Sequence, residues 1–370
     1  MGTVPRHDLR HADGRRLFVY GELHGSLDRE TVEPIDPAAL HQRHDVLTDT
    51  WVAISPARNR RPFTGGPVPG ASAGCPLCPG GPEVPFAYQA AVFENRFPSF
   101  VAGPPEVPDD PSLAPSQGRC EVVLYTQQHV GSLATLTASE LARVVAIWRD
   151  RTGDLWVEQS NRFVMAFENR GDGVGATISH PHGQIYAFDR LPPFIERRVA
   201  TLAGHRELEG DCLTCRVVAR DAGAPERCVV AADAFTVGIP FAPRWPLEVQ
   251  VRARRHGLGR LGDLEAAEQV ELVRLLREVV LRYDALFGFE LPYMMVILEA
   301  PDGMPDWHLA VEFYPPHRSE VLMKVRASVE TATGLFINDT LPEENAKRLA
   351  GLRVTLPDEE PQPATVARVA

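Results

Sequence analysis

Nowhere does the sequence run for the roughly 20 consecutive apolar residues that a membrane-crossing helix needs, so none is expected. The N-terminal segment, Met1 to Arg16, is polar and lacks the apolar stretch of a signal peptide. Basic residues are in deficit: 38 Lys and Arg stand against 49 Asp and Glu, a net charge of -11. That balance opposes non-specific nucleic-acid binding, which depends on cations displacing the counterions of phosphates. Any nucleotide handled is expected to be small and held in a pocket. Cysteine is scarce as well, six in 370 residues, and four of the six fall in two pairs, Cys75-Pro-Leu-Cys78 and Cys212-Leu-Thr-Cys215. In a reducing compartment such pairs serve metal ligation more often than disulfides. The other two, Cys120 and Cys228, read as small buried hydrophobes. A cytoplasmic protein is expected. With 44% hydrophobic and 24% charged residues, disorder and fibrous structure are excluded for the chain as a whole, and its length suits two domains or one duplicated fold.

Residues 1 to about 45 are polar, carry Pro34 and Pro37, and read as an arm or entry strand more than as core. Residues 64–85 and 103–118 are dense in Pro and Gly and are expected as loops. The ordered material shows an internal duplication. Glu121-Val-Val-Leu-Tyr-Thr-Gln-Gln-His129 matches Glu248-Val-Gln-Val-Arg-Ala-Arg-Arg-His256 in length. Leu133, Leu136 and Glu140 before a helical stretch match Leu261, Leu264 and Glu268 before another. Phe163-Val-Met-Ala-Phe-Glu168 matches Met294-Met-Val-Ile-Leu-Glu299, and each copy has its Cys pair upstream. A period this long is not a solenoid; it points to two fused copies of one α/β unit.

Chemistry belongs where the copies differ. The first continues through Asn169-Arg-Gly-Asp-Gly-Val-Gly175 to His180-Pro-His182-Gly-Gln184, whereas the second has Trp307-His308-Leu-Ala310-Val-Glu312. On an extended segment His180, His182 and Gln184 point to one face, which suits a metal ligand beside a reactive imidazole, with an amide able to donate to a phosphoryl oxygen. Pro181 fixes the backbone, and Gly183 is expected to let it approach a ligand closely. Cys75, Cys78, His129 and His180 would make a closed Cys₂His₂ set suited to zinc, anchoring His180 and thereby His182. Cys212, Cys215 and His256 repeat the arrangement, with His308 or Glu312 to complete it; whether this second set holds a metal stays open. Arg58 and Arg61, in Ser55-Pro-Ala-Arg-Asn-Arg-Arg-Pro62, form a basic turn of the kind that grips phosphate or simply faces solvent. Lys324 to Glu330 reads as an exposed strand.

The His-Pro-His-Gly-Gln run, with Phe167-Glu-Asn169 before it, closely resembles the galactose-1-phosphate uridylyltransferase family of the histidine-triad superfamily. The likeness extends over nearly the whole chain, through Ser55 to Pro62, Cys75 to Cys78, Phe93-Glu-Asn-Arg-Phe97, His129, Trp307-His308, Phe313-Tyr-Pro-Pro316 and Val329-Glu330. It implies an α+β fold of two tandem histidine-triad-like units, antiparallel sheets with helices. Residues 1–195 would be the N-terminal catalytic unit with the zinc site, and 196–370 a degenerate C-terminal unit. It further implies an enzyme that moves UMP from UDP-glucose to galactose 1-phosphate by a ping-pong route. In that scheme His182 is the nucleophile, Gln184 stabilises the uridylyl phosphorus, and Cys75, Cys78, His129 and His180 hold zinc. Asn95, Arg96, Asn169, Gly175, Ala176 and Thr177 would line the nucleotide site. Arg58, Arg61, Lys324, Val329 and Glu330 would reach phosphates and sugar, some from the partner subunit of a homodimer. Alternatives that share the motif are a nucleoside-diphosphate-sugar phosphorylase or dinucleotide hydrolase, and a non-catalytic nucleotide-binding zinc protein. Glu299, Ala310 and Glu312 stand where well-known members hold a second metal with histidines, Thr177-Ile-Ser179 departs from their Ser-Asn-Pro, and Phe336 or Asn338 occupies the region of their sugar-contacting Gln. That second metal site is therefore not carried over.

Overall fold

The computed structural model describes residues 2–27, 39–61, 74–176, 178–356 and 362–369. Strands β1 (Gly2–Arg10) and β2 (Arg16–Tyr20) open the chain, followed by β3 (His41–Asp45), β4 (Thr50–Ile54), β5 (Ala90–Glu94), β6 (Leu113–Pro115) and β7 (Gly118–Leu124). Helix α1 (Ala138–Trp156) leads to the hairpin of β8 (Phe163–Arg170) and β9 (His182–Phe188). Helices α2 (Pro193–Glu209) and α3 (Leu213–Ala222) carry the chain into β10 (Cys228–Val230), β11 (Phe235–Gly238) and β12 (Val249–Ala253). Helix α4 (Ala266–Phe287), β13 (Tyr293–Leu298) and β14 (Ala310–Tyr314) then repeat the order of the first half, before α5 (Ser328–Thr333), α6 (Pro342–Ala350) and β15 (Ala364–Arg368).

Twelve strands form one sheet in the order β10-β11-β12-β14-β13-β8-β9-β7-β5-β2-β1-β15, and β4-β3-β6 form a small second one. Every pairing between named strands is antiparallel except β1 with β15. The duplication is visible as symmetry: β11-β12-β14-β13 on one side mirror β5-β7-β9-β8 on the other. The dyad passes between β8 and β13, where Ala166 faces Ile297. Each of these is the fourth residue of its matched run, so the sequence repeat and the pairing register agree.

The matching of Glu121 with Glu248, by contrast, is one residue out. Val122 lies opposite Gln184 and Gln250 opposite Glu312, so Val122 corresponds to Gln250 and Glu121 to Val249. A one-residue slip changes the face of the sheet. Glu121 points to the helix side and pairs with Arg151 of α1 at 2.7 Å, while Glu248 accepts from the Arg244 backbone N–H at 2.7 Å. The second copy is thus one residue shorter between strand and His256.

Helices α1 and α4 cover one face of the sheet, where Val123, Trp148, Val251, Leu276 and Tyr283 join one large core. The starts of both are set by the sequence. Thr137 and Glu140 form a capping box on α1, the Thr137 hydroxyl accepting from the Glu140 N–H at 3.2 Å and the Glu140 carboxylate from the Thr137 N–H at 2.8 Å. Helix α4 ends at Gly288, whose φ of +75° closes it. On the opposite face the Pro- and Gly-rich segment after residue 74 has no regular structure, as expected. Leu77, Val84, Phe86 and Tyr88 pin it against Leu17, Val19, Ala91, Phe93, Val122 and Leu124. Burial of these side chains is what holds Cys75 and Cys78 in place.

Four expectations fail. The stretch 103–118 is not loop throughout: Leu113–Pro115 form β6, paired with β3, and Gly118 opens β7. The N-terminal segment is core, not an arm: Leu17, Val19 and Tyr20 are fully buried, and Arg6 is buried against Asp8, Asp150 and Asp154. Its polar composition misleads because the charges pair with one another under the sheet edge. Cys228 is exposed, on the edge strand β10. Residues 324–330 form no strand; they enter α5, and Lys324 and Glu330 are buried as an ion pair at 2.6 Å. Among the described residues no helix is long and apolar enough to cross a membrane.

Candidate active site

Strand β9 carries His182 and Gln184. Its alternation puts His182 and Gln184 on the open face and Gly183 and Ile185 on the helix side. Pairing with β7 sets Leu124 opposite His182 and Val122 opposite Gln184, and pairing with β8 sets Phe167 opposite Gln184. In front of the two side chains lies a cavity of about 190 Å³ with an apolar wall of Leu77, Phe93, Val122 and Ile178 and a polar rim of Arg61, Asn95 and Arg96.

One ring nitrogen of His182, Nδ1, lies 2.7 Å from the His180 carbonyl oxygen. A carbonyl only accepts, so Nδ1 carries the hydrogen and Nε2 keeps its lone pair. Burial holds the His182 pKa below the usual histidine range, which favours this neutral form.

Behind it stands the first Cys/His set. The ligand atoms of Cys75, Cys78, His129 and His180 all lie within 4.8 Å of one another. His180 directs Nδ1 at Cys78 Sγ (3.6 Å) and Cys75 Sγ (4.0 Å), while its Nε2 donates to the Thr126 carbonyl at 2.9 Å. Burial lowers its pKa to about 4, so the ring is neutral and its Nδ1 lone pair faces the thiols. Burial and the Cys75 thiol push Cys78 up to about 11; a cation among the four groups would reverse that order and favour thiolates. The donor set and the fixed tautomer fit a metal.

The second set is completed by His308, not Glu312: Cys212, Cys215, His256 and His308 also lie within 4.8 Å of one another. Here the tautomer is reversed. His308 donates from Nδ1 to the Ala253 carbonyl at 2.8 Å and turns Nε2 to Cys215 (3.5 Å) and Cys212 (3.7 Å). Glu312 serves elsewhere, gripped by Arg198 at 2.9 Å, Arg244 at 3.1 Å and Arg252 at 3.7 Å, and hydrogen-bonded by Tyr314. Glu299 accepts from Trp156 and from the Leu261 N–H. With Ala310 at the place of His182, the second copy has no histidine at that position.

The other expected residues divide. Arg61, Asn95 and Arg96 line the cavity beside His182 and Gln184. Arg58 does not; it donates to the Tyr186 hydroxyl at 3.0 Å. Asn169 sits further along β8 on the Phe167 side of the strand, and Gly175 (φ +81°) and Ala176 lie in the turn that leads to His180. Thr177 lies outside the described residues. Lys324 and Glu330 pair with each other and, with the half-exposed Val329, stay away from this protomer's own cavity. The apolar wall escaped sequence reading, although Leu77 sits inside the first Cys pair and Phe93 opens the Phe-Glu-Asn-Arg-Phe run; position within a quoted motif was the available signal.

Both halves of the chain match models of one family. The N-terminal domain family of galactose-1-phosphate uridyl transferase matches residues 30–192, and the C-terminal domain family matches residues 198–360. The chain is similar to the galactose-1-phosphate uridylyltransferase of Thermotoga maritima, 38% identical over 326 residues, 86% of this chain and 100% of that one. It is also similar to that of Streptomyces lividans, 31% identical over 364 residues, 94% of this chain and 97% of the relative. A solved uridylyltransferase superposes with a TM-score of 0.75 at 28% identity, covering 84% of this chain and 97% of that one. An ADP-glucose phosphorylase from Arabidopsis thaliana shares the fold, with a TM-score of 0.65 at 23% identity over 85% of this chain and 99% of its own.

Proposed function

Because the chain belongs to the galactose-1-phosphate uridylyltransferase family and is an enzyme of uridylyl transfer from UDP-glucose to galactose 1-phosphate, we propose that His182 is the residue that carries the uridylyl group. The observation that carries this reading is the 2.7 Å contact from His182 Nδ1 to the His180 carbonyl, which leaves Nε2 unprotonated toward the cavity. Nε2 attacks the phosphorus bonded to uridine, an Nε2–P bond forms, and the P–O bond to glucose 1-phosphate breaks. The ring then bears positive charge, which the His180 carbonyl oxygen stabilises through Nδ1–H. The phosphate oxygen of galactose 1-phosphate attacks the same phosphorus, the Nε2–P bond breaks, and UDP-galactose departs. Gln184, on the same face of β9, donates its amide to the phosphoryl oxygens as their charge grows. Leu77, Phe93, Val122 and Ile178 offer apolar contact for the uracil ring, with Asn95, Arg96, Asn169, Gly175 and Ala176 around the nucleotide and Arg61 toward its phosphates.

We assign zinc to Cys75, Cys78, His129 and His180 on donor chemistry: two thiols and two imidazoles make the closed set that this ion prefers. When bound, zinc would fix His180, and through its carbonyl the ring of His182. The division into a catalytic unit, 1–195, and a degenerate one, 196–370, follows the dyad between β8 and β13, with β15 reaching back to the first unit's edge. The free thiols suit the cytoplasm. A homodimer is supported by the run of exposed apolar side chains at Val321, Leu322, Val325, Val329, Leu335 and Ile337, beside Lys324 and Glu330. In this reading the segment serves the partner's sugar site.

Incubation with UDP-glucose labelled in the uridylyl phosphorus tests the proposal. Acid-labile, base-stable label should appear on His182 and be absent from His182→Ala. The label should be discharged by galactose 1-phosphate faster than by inorganic phosphate or water, and a His182→Ala chain that still takes up label refutes the assignment.

A further inference from the structure

Gly183, between the two reactive side chains, owes its identity to the protein and not to a ligand. A Cβ built on it would lie 2.2 Å from the Tyr125 hydroxyl oxygen and 3.0 Å from the Phe167 carbonyl. Tyr125 follows β7, is buried in the helix-side core and meets Trp148 edge-on, so its ring has little freedom to withdraw. Buried there, the hydroxyl makes no hydrogen bond, so its contact with Gly183 is steric; nearby, Glu168 on β8 accepts from the Tyr293 hydroxyl at 2.8 Å. All three side chains are buried, and Tyr293 belongs to β13, across the dyad.

This cluster lies where the sheet gives β9 least support. The ladder between β8 and β9 ends at Phe167 opposite Gln184, whereas the ladder with β7 continues to Leu124 opposite His182. His182 and Gly183 are therefore strand-paired on one side only. On the other, the Tyr125 hydroxyl is the atom that stops Gly183 from sinking toward the core.

We propose that Tyr125, held edge-on against Trp148, is a positioning residue that sets Gly183 and thereby the height of the His182 and Gln184 side chains in the cavity. The inference rests on the reading of His182 as nucleophile. Tyr125→Phe removes the stop while keeping the ring, and Gly183→Ala forces the strand off it.

Three variants test it: Tyr125→Phe, Gly183→Ala and the double variant. The readouts are the single-turnover rate of uridylyl labelling, the KM for UDP-glucose, bound metal and the thermal midpoint. Misplacing a reacting group by about 1 Å costs on the order of 100-fold, so Tyr125→Phe should label about 10- to 100-fold more slowly. Its KM should stay within about twofold, because the apolar wall that binds uridine is untouched. Gly183→Ala should fall further, and the double variant should recover part of that loss because the hydroxyl it collides with is gone. If Tyr125→Phe does not fold, Tyr125→Met, which also removes the hydroxyl, carries the same rate comparison. Labelling by Tyr125→Phe at the parental rate, or a double variant no faster than Gly183→Ala, overturns the inference. Label that persists in His182→Ala instead overturns the underlying reading, whatever Tyr125→Phe does.

Discussion

Glu312→Gln gives the second copy the residue that the first has at Gln184, and its cost follows from the surroundings of the carboxylate. Burial alone would raise the pKa of Glu312, yet Arg198, Arg252 and Arg244 together hold it down, from 4.5 to about 2. Each unit corresponds to ~1.4 kcal/mol, so the interaction favours the folded protein by ~3 kcal/mol while the carboxylate is ionised. The folded pKa is depressed, so this stability is fully present above about pH 4.5 and is lost as pH falls toward 2. Removing the charge also leaves three guanidinium groups around a neutral amide, and breaking a buried pair in this way typically costs ~3–5 kcal/mol. Urea unfolding of parent and Glu312→Gln at several pH values between 7 and 3 measures both effects. The variant should be less stable by about 3 kcal/mol or more at pH 7, and its stability should fall less steeply in acid. A variant within about 1 kcal/mol of the parent at pH 7, with the same acid slope, would refute the view that this carboxylate anchors the arginine cluster.

The rate of His182 labelling should hold steady as pH falls from 7.5 through 6.5, where an unperturbed imidazole would already be about half protonated; a drop centred there would show that burial does not depress its pKa. Elemental analysis should find at least one zinc fewer in Cys75→Ser/Cys78→Ser than in the parent, and a separate loss in Cys212→Ser/Cys215→Ser if the set completed by His308 also holds an ion. Mixing His182→Ala with Lys324→Ala chains should restore transferase activity that neither has alone, up to about a quarter of the parental level when subunits exchange freely and one intact site survives per hybrid dimer. Hybrids with no more activity than the two variants assayed apart would place Lys324 outside the partner's site.

What the sequence by itself determined was local. The alternation after His180 already put His182 and Gln184 on one face of a strand, because side chains on extended backbone repeat every second residue. The paired cysteines and the duplicated order of strand, histidine and helix were legible for the same reason: each signal lies within a few residues of its own cause. Tertiary structure decided what depends on the frame of a strand or on residues far apart in the chain. The one-residue offset between Glu121 and Glu248 is fixed by sheet pairing, and composition cannot show it because the two look alike until one meets Arg151 and the other the Arg244 backbone. The choice of His308 over Glu312 depends on which of them the fold brings to Cys212 and Cys215, Glu312 being taken by Arg198, Arg244 and Arg252. Strand β2 becomes core because its apolar run packs on both faces of the sheet, and Arg6 of β1 is buried because it finds Asp150 and Asp154 on α1. The reason for Gly183 lies with Tyr125, whose hydroxyl takes the place of a side chain only once β7 and β9 have paired.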